Sequence, residues 1–224
     1  MRVLEGRGIS FRYPGGPPLL RQADIYLKTG ECVGLTGPSG CGKSTLCRIL
    51  AGIIPRSIPG EVTGQVFISG TELSEIPLAA LVQLVGIVFQ DPDSQLFSPT
   101  VEDEIAFGPE NLCLPRDELE LRICQALETV GMAAYRQAET RTLSLGQKQL
   151  IALAAVLALQ PKILIADEIF SRLDSTCTLL VQEAIQRQKS QGRAVLLVDH
   201  KHENLALVDR IYRLTEGQLR EVSP

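Results

Sequence analysis

No apolar run in this 224-residue sequence approaches the length of a membrane span. The longest, Leu150 to Leu159, stops at Gln160 and Pro161, well short of the roughly 20 residues that a spanning helix requires. The opening MRVLEGRGIS also lacks an apolar stretch of signal-peptide length, so the chain is expected to stay in the cytosol. Six cysteines, at 32, 41, 47, 113, 124 and 177, include no C-x-x-C pair. That spacing argues against a zinc site and for reduced thiols. Excess positive charge is missing too: 22 Lys plus Arg face 26 Asp plus Glu, a formal net charge of −4. A protein that holds nucleic acid mainly by neutralising phosphates is thereby disfavoured, although a local basic patch stays open. Internal repeats and long linkers are absent.

What is present is a globular composition, 45% hydrophobic and 21% charged, which excludes disorder and low-complexity classes. The length suits one large α/β domain or two small ones. Short β-rich runs come first: VLEGRGISFRY, ADIYLK and the buried-looking ECVGLTG. Helical spacing follows in STLCRILAGII up to Pro55, and strands resume at VTGQVFISG and VGIVF. Between about residues 90 and 141, Pro92, Pro99, Pro109 and Pro115 punctuate two helical stretches, TVEDEIAF and RDELELRICQALETVGM. This segment reads as a helical subdomain set between core segments 1–89 and 142–224 of one domain. From Ser144 onward, GQKQLIALAAVLAL, KILIAD, TCTLLVQEAIQRQK and AVLLVD alternate helix and strand, the rhythm of a parallel sheet. DRIYRL and QLREV, joined at Glu216-Gly217, read as the last strands.

The strongest chemical signal is Gly37-Pro38-Ser39-Gly40-Cys41-Gly42-Lys43-Ser44-Thr45, which fits G-x-x-x-x-G-K-[ST] between a predicted strand and a predicted helix. Gly37, Gly40 and Gly42 let successive N–H groups point at phosphate oxygens, and the helix N-terminus adds positive potential. Lys43 is placed to reach the β- and γ-phosphates, and the Ser44 hydroxyl suits Mg2+. Amides and Lys43 surround Cys41, which is therefore expected to alkylate faster than the core cysteines; a small buried space-filler is the alternative. The second signal, KILIADE, is a buried strand ending in two carboxylates. Asp167 is expected to serve the Mg2+ shell and Glu168 to polarise an attacking water. Alternation along a strand sends the two to opposite faces. The third, Leu143-Ser144-Leu145-Gly146-Gln147, has the S-x-x-Q spacing of a capping box before an apolar helix. A capped helix start with a free hydroxyl and a Gly amide also reads as a second anion site, able to face a phosphate held by another subunit.

In their order along the chain these motifs resemble the ATP-binding cassette family, the nucleotide-binding subunits of ABC transporters. GPSGCGKST looks like the Walker A loop, VFQ ending in Gln90 like the Q-loop and LSLGQ like the signature. ILIADE looks like Walker B, SRLD like the D-loop, and VDH ending in His200 like the switch histidine. The resemblance implies an α/β P-loop fold with a RecA-like mixed sheet, an N-terminal antiparallel β part and a helical subdomain. QDPDSQLFSPTVEDEIAFGPENLCLP further resembles the energy-coupling-factor and cobalt/nickel importer ATPases. Three positions depart from the family pattern: Leu145 stands for Gly, Ile169-Phe170 for Pro-Thr, and Asp199 for Thr or Ser.

Carried over residue by residue, the resemblance implies that Tyr13 stacks on adenine, and a ring that covers the core is the other reading. Lys43, Gln90, Glu168 and His200 are then the catalytic set, with Ser44, Gln90 and Asp167 around Mg2+. Ser144, Gly146, Gln147 and Asp174 would complete the site of a second cassette, so that two chains share two ATP. His202 reads as a surface histidine. The implied partners are a second ATPase subunit, an integral membrane coupling protein and a substrate-capture subunit, at the cytoplasmic face of the membrane and without direct contact to nucleic acid. The rival reading is a soluble cassette clamp on nucleic acid or ribosomes. Such proteins carry a coiled coil, zinc cysteines or a tandem cassette, none of which appears here. A catalytically weak heterodimer partner, suggested by Leu145, is the third.

Overall fold

A computed structural model describes residues 1–199 and 202–222, with the backbone alone at 202 and 203. In chain order the elements are β1 (Arg2–Arg12), β2 (Pro18–Lys28), β3 (Cys32–Thr36), α1 (Lys43–Leu50), β4 (Glu61–Ile68), β5 (Thr71–Glu72), the single turn α2 (Leu78–Leu81) and β6 (Val85–Val88). There follow α3 (Val101–Asn111), α4 (Arg116–Thr129), α5 (Leu145–Ala158), β7 (Ile163–Asp167), α6 (Ser175–Ser190), β8 (Ala194–Val198), β9 (Arg210–Thr215) and β10 (Gln218–Val222).

Two sheets form. An antiparallel one runs β2-β1-β4-β5, and a six-stranded one runs β10-β9-β3-β8-β7-β6, parallel except for the β9–β10 hairpin. The central strands read as unbroken apolar runs because both faces are covered. Val33, Leu35, Ile163, Ile165, Leu196 and Val198 join α1 and the antiparallel sheet in one core. The alternate residues Leu164, Ala166, Val195 and Leu197 join α3 to α6 in the other. The period-2 alternation of the strands therefore builds two cores from one sheet.

Several boundaries differ from expectation: β2 starts at Pro18, five residues ahead of ADIYLK, and α4 ends at Thr129, three residues short of Met132. α1 stops at Leu50, not Ile54, because Gly52 takes φ +73, which leaves the helix. α3 passes through Gly108 and Pro109 to Asn111. The proline falls in the last turn, where one lost N–H is tolerated, and the break comes at Pro115, immediately before α4.

α5 lies close on β6 at Gly86, where a Cβ would collide with Val156 Cγ1 and approach Pro161 Cγ to 2.9 Å. Gly86→Ala is expected to lower stability by about 1–3 kcal/mol through overpacking, read as a lower urea midpoint; an unchanged midpoint would refute this close approach.

Candidate nucleotide site

The sealed faces leave the sheet's C-terminal edge as the place where polar side chains can emerge. Leu35 of β3, Val198 of β8 and Asp167 of β7 stand abreast in register, and Val88 of β6 pairs with Ala166. The loops leaving β3, β7 and β6 therefore open at one level, the usual ligand crevice of a parallel sheet.

From β3 the chain turns at Gly37, φ +153, where a Cβ would strike the Leu214 carbonyl oxygen. Gly42, φ +108, then sits as the N-cap of α1 in the left-handed region. No side chain caps this helix, so its first N–H groups are available to an anion. Lys43, only 5% exposed, folds back over the loop. Its Nζ donates to the carbonyls of Gly37 and Pro38 at 3.0 and 3.1 Å and lies 3.3 Å from Glu168 Oε1. Cys41 is half-buried; its N–H donates to the Pro38 carbonyl and its sulfur lies against Gly37.

Asp167 and Glu168 do not simply alternate as strand neighbours. β7 ends at Asp167, and Glu168 takes φ +51, its N–H donating to the Val198 carbonyl at 3.0 Å. This left-handed step turns Glu168 into the cleft beside Lys43, where its Oε2 also accepts from Gln90 Nε2 at 3.0 Å. Asp167 stays 3% exposed, and its Oδ1 has no hydrogen-bond partner. Burial pushes its carboxyl above the ordinary aspartate range, the Ser44 hydroxyl opposes this, and the Glu168 charge adds to it. Ser44, Gln90 and Asp167 share the wall of a hollow of about 320 Å3. An orphaned carboxylate oxygen beside a hydroxyl is a donor set that fits Mg2+. Among the described residues no cluster of three His, Cys, Asp or Glu is poised for a metal, so the ion would draw its remaining oxygens from phosphates and water.

A cleft of about 480 Å3 joins these groups. It is lined by Ser39, Gly40, Gly42, Lys43, Ser44, Thr45, Gln90 and Glu168 together with Tyr13, Gly16, Pro17 and Leu19, and the Leu19 side chain lies against Gly42. Tyr13 packs on the core and also lines the cleft. Its ring meets Phe11 edge-on at 4.7 Å, and its hydroxyl bonds Thr45 Oγ1 at 3.2 Å.

Ser144, Gly146, Gln147 and Asp174 lie outside this cleft's lining. Ser144 caps α5 in a full capping box: its Oγ accepts from the Gln147 N–H at 3.3 Å, and its own N–H donates to Gln147 Oε1 at 2.9 Å. Asp174 caps α6, accepting from the Cys177 N–H at 2.7 Å, which holds its carboxyl below the ordinary range. The two helix starts meet where Gly146 faces Cys177, whose sulfur a Cβ would approach to 3.0 Å. Of the atypical residues, Ile169 and Phe170 are core, 1% and 4% exposed, and Asp199 accepts from Asn204 Nδ2 at 2.8 Å. His200 lies outside the described residues. Pro17 and Leu19 carry no chemical signal in sequence and enter the site only through folding. Gln149, whose amide donates to the Phe89 carbonyl beside Gln90, was equally silent there.

Asp167 yields a test with a definite sign. A carboxyl raised on folding is tolerated when protonated and penalises the folded state as pH rises through its folded pKa. Asp167→Asn is therefore expected to melt above wild type at pH 8 without nucleotide, the gap closing toward pH 4, and to lose the extra stabilisation that wild type gains from Mg2+ with ATP. Thermal melts across pH check it; a variant less stable than wild type at pH 8 would contradict the assignment.

Comparison with known proteins identifies the family. A family model described as ABC transporter matches residues 20–171. An Energy-coupling factor transporter ATP-binding protein EcfA of Methanosarcina acetivorans is 40% identical over 94% of this chain and 76% of its own length. A putative ABC transporter ATP-binding protein of Methanosarcina mazei is 42% identical over 97% of this chain, which spans only 38% of that relative's length. The solved structure of CbiO1 from Clostridium perfringens, described as part of the ABC transporter complex CbiONQ, superposes with a TM-score of 0.85 at 30% identity, covering 98% of this chain and 87% of its own. An ABC transporter cassette in its ADP conformation, 21% identical, shares the fold with a TM-score of 0.83 over 100% of this chain and 92% of its own. The chain belongs to the ABC transporter family, as one of its ATP-binding cassettes.

Proposed function

We propose that the chain hydrolyses ATP as the nucleotide-binding subunit of an energy-coupling-factor type importer, paired with a second cassette at the cytoplasmic face of the membrane. The cargo on this reading is a vitamin or a transition-metal ion, carried by separate coupling and capture subunits. The convergence of Lys43, Gln90 and Glu168 in one cleft carries the hydrolytic part. The likeness to EcfA and CbiO1 supports the importer part. So does an exposed aromatic pair in the segment after Gln90: Phe97 and Phe107, 66% and 47% exposed, meet edge-on at 4.6 Å. Glu104 fixes the Phe97 loop by accepting from the N–H groups of Phe97 and Ser98 at 3.0 and 2.7 Å. Held in this way, the pair suits an apolar partner surface.

In this reading the loop amides and Lys43 bind the phosphates, and Tyr13 covers the base with its ring face. Ser44, Asp167 and Gln90 would hold Mg2+, which supplies charge neutralisation on the phosphate oxygens when bound. Glu168 orients a water toward the γ-phosphorus and takes its proton as the new P–O bond forms and the bond to the bridging oxygen of ADP breaks. His200 is assigned to the γ-phosphate by resemblance alone. Ser144 and Gly146, absent from their own chain's cleft, would face the γ-phosphate of the partner's nucleotide, so one two-fold contact completes two sites. Only the triphosphate spans the seam, and its hydrolysis releases the closed state.

Glu168→Gln is expected to bind MgATP, accumulate as a dimer in size-exclusion chromatography and lose turnover by about a hundredfold or more. A monomeric variant with wild-type turnover would defeat the assignment. At the seam, Leu145→Gly should change turnover by less than about tenfold, roughly 1.4 kcal/mol in barrier. Gly146→Asp should abolish it, since a carboxylate there opposes phosphate and crowds Cys177. A gain of about a hundredfold in Leu145→Gly would instead favour a natively weak cassette.

A further inference from the structure

β6 is an edge strand of the six-stranded sheet, so the chain leaving it toward Gln90 has a strand neighbour on one side only. At Phe89, immediately before Gln90, side chains take both main-chain polar groups. The Phe89 N–H donates to Gln95 Oε1 at 3.1 Å, and its carbonyl accepts from Gln149 Nε2 at 3.0 Å. Gln149 is 3% exposed, and a buried amide and carbonyl that lose each other are left without partners. The next residue back, Lys148, pairs with Asp93 Oδ1 at 2.6 Å. Two consecutive residues of α5 therefore hold the segment on both sides of Gln90. The same helix begins at the Ser144 cap, five residues before Gln149, about 7.5 Å of stiff helix at 1.5 Å per residue. At the other end Gln90 reaches Glu168.

We infer that Gln149 is a positioning residue, which registers Gln90 and through it Glu168 against the helix end that would meet the partner's nucleotide. The inference rests on the hydrolytic reading above. Gln149 is not among the residues lining the nucleotide cleft, so its loss should affect turnover without weakening ATP binding. Its bond to Phe89 requires a donor, so the requirement is chemical as well as steric.

The test uses the full chain with MgATP. Gln149→Met keeps the length and removes the donor; kcat should fall about tenfold or more while ATP affinity changes by less than about threefold. Gln149→Glu cannot donate when ionised but can when protonated, and burial favours the protonated form. Its kcat relative to wild type should therefore recover as pH falls from 8 to 6. Lys148→Met removes the less buried tie and should lower kcat about two- to threefold in a protein that melts like wild type. Wild-type kcat in the Gln149 variants overturns the inference, as does a parallel loss of kcat and ATP affinity without recovery at pH 6. If neither Gln149 variant folds, wild-type kcat in Lys148→Met overturns it. A wild-type chain that hydrolyses no ATP even with its membrane partners defeats the hydrolytic reading itself, and the inference falls with it.

Discussion

Burial of both faces of the parallel sheet is the constraint from which the site follows. With α1 and the antiparallel sheet on one side and α3 to α6 on the other, β3, β8 and β7 contain almost nothing but apolar residues. A charge in mid-strand would find no water and no partner. Polar chemistry is therefore confined to the strand ends, and the shared register of β3, β8 and β7 brings Gly37, Asp167 and Asp199 to one edge. Asp167 sits on the boundary itself, buried enough for its carboxyl to be raised, with one buried oxygen left without a hydrogen-bond partner in the hollow it lines with Ser44 and Gln90.

Glu168 shows how one backbone step changes the chemistry of that edge. An extended residue after Asp167 would point away from the phosphate loop. The left-handed step turns it back, and its two oxygens engage Lys43 and Gln90, which arrive from different elements. A non-glycine residue at positive φ is locally unfavourable. Here the bond from its own N–H to the Val198 carbonyl and the buried Ile169 and Phe170 that follow hold it. The two atypical residues after the glutamate thus serve as packing that fixes its direction.

α5 links the Ser144 cap to the chain around Gln90. Its apolar body packs between β6 and the helices α3 and α4, its capped start presents Ser144, and its first turns grip the chain around Gln90. Leu145 occupies the first helical position, where a leucine is favoured over glycine by about 1 kcal/mol. Gly146 beside it must stay small because α6 crosses at Cys177.

The sequence by itself determined most of the elements and the fold class, because strands buried on both faces, a glycine-rich turn before a helix and an S-x-x-Q cap are local patterns with local causes. It also marked Lys43, Ser44, Asp167 and Glu168, whose residue types and spacing have few other uses, while Gln90 was marked by the family resemblance. It misjudged the ends of α1 and α3, where a left-handed glycine and a last-turn proline act against simple periodicity. What only the tertiary structure decided is which of the marked residues meet. Lys43, Gln90 and Glu168 gather in one cleft while Ser144, Gly146 and Asp174 do not line it, and Tyr13, Pro17 and Leu19 join its lining. The grip of Gln149 on Phe89 was likewise invisible, because a buried glutamine has no periodicity of its own and its role depends on a carbonyl 60 residues away in the chain. Such meetings are set by strand order and register across the sheet, which no local run of residues encodes.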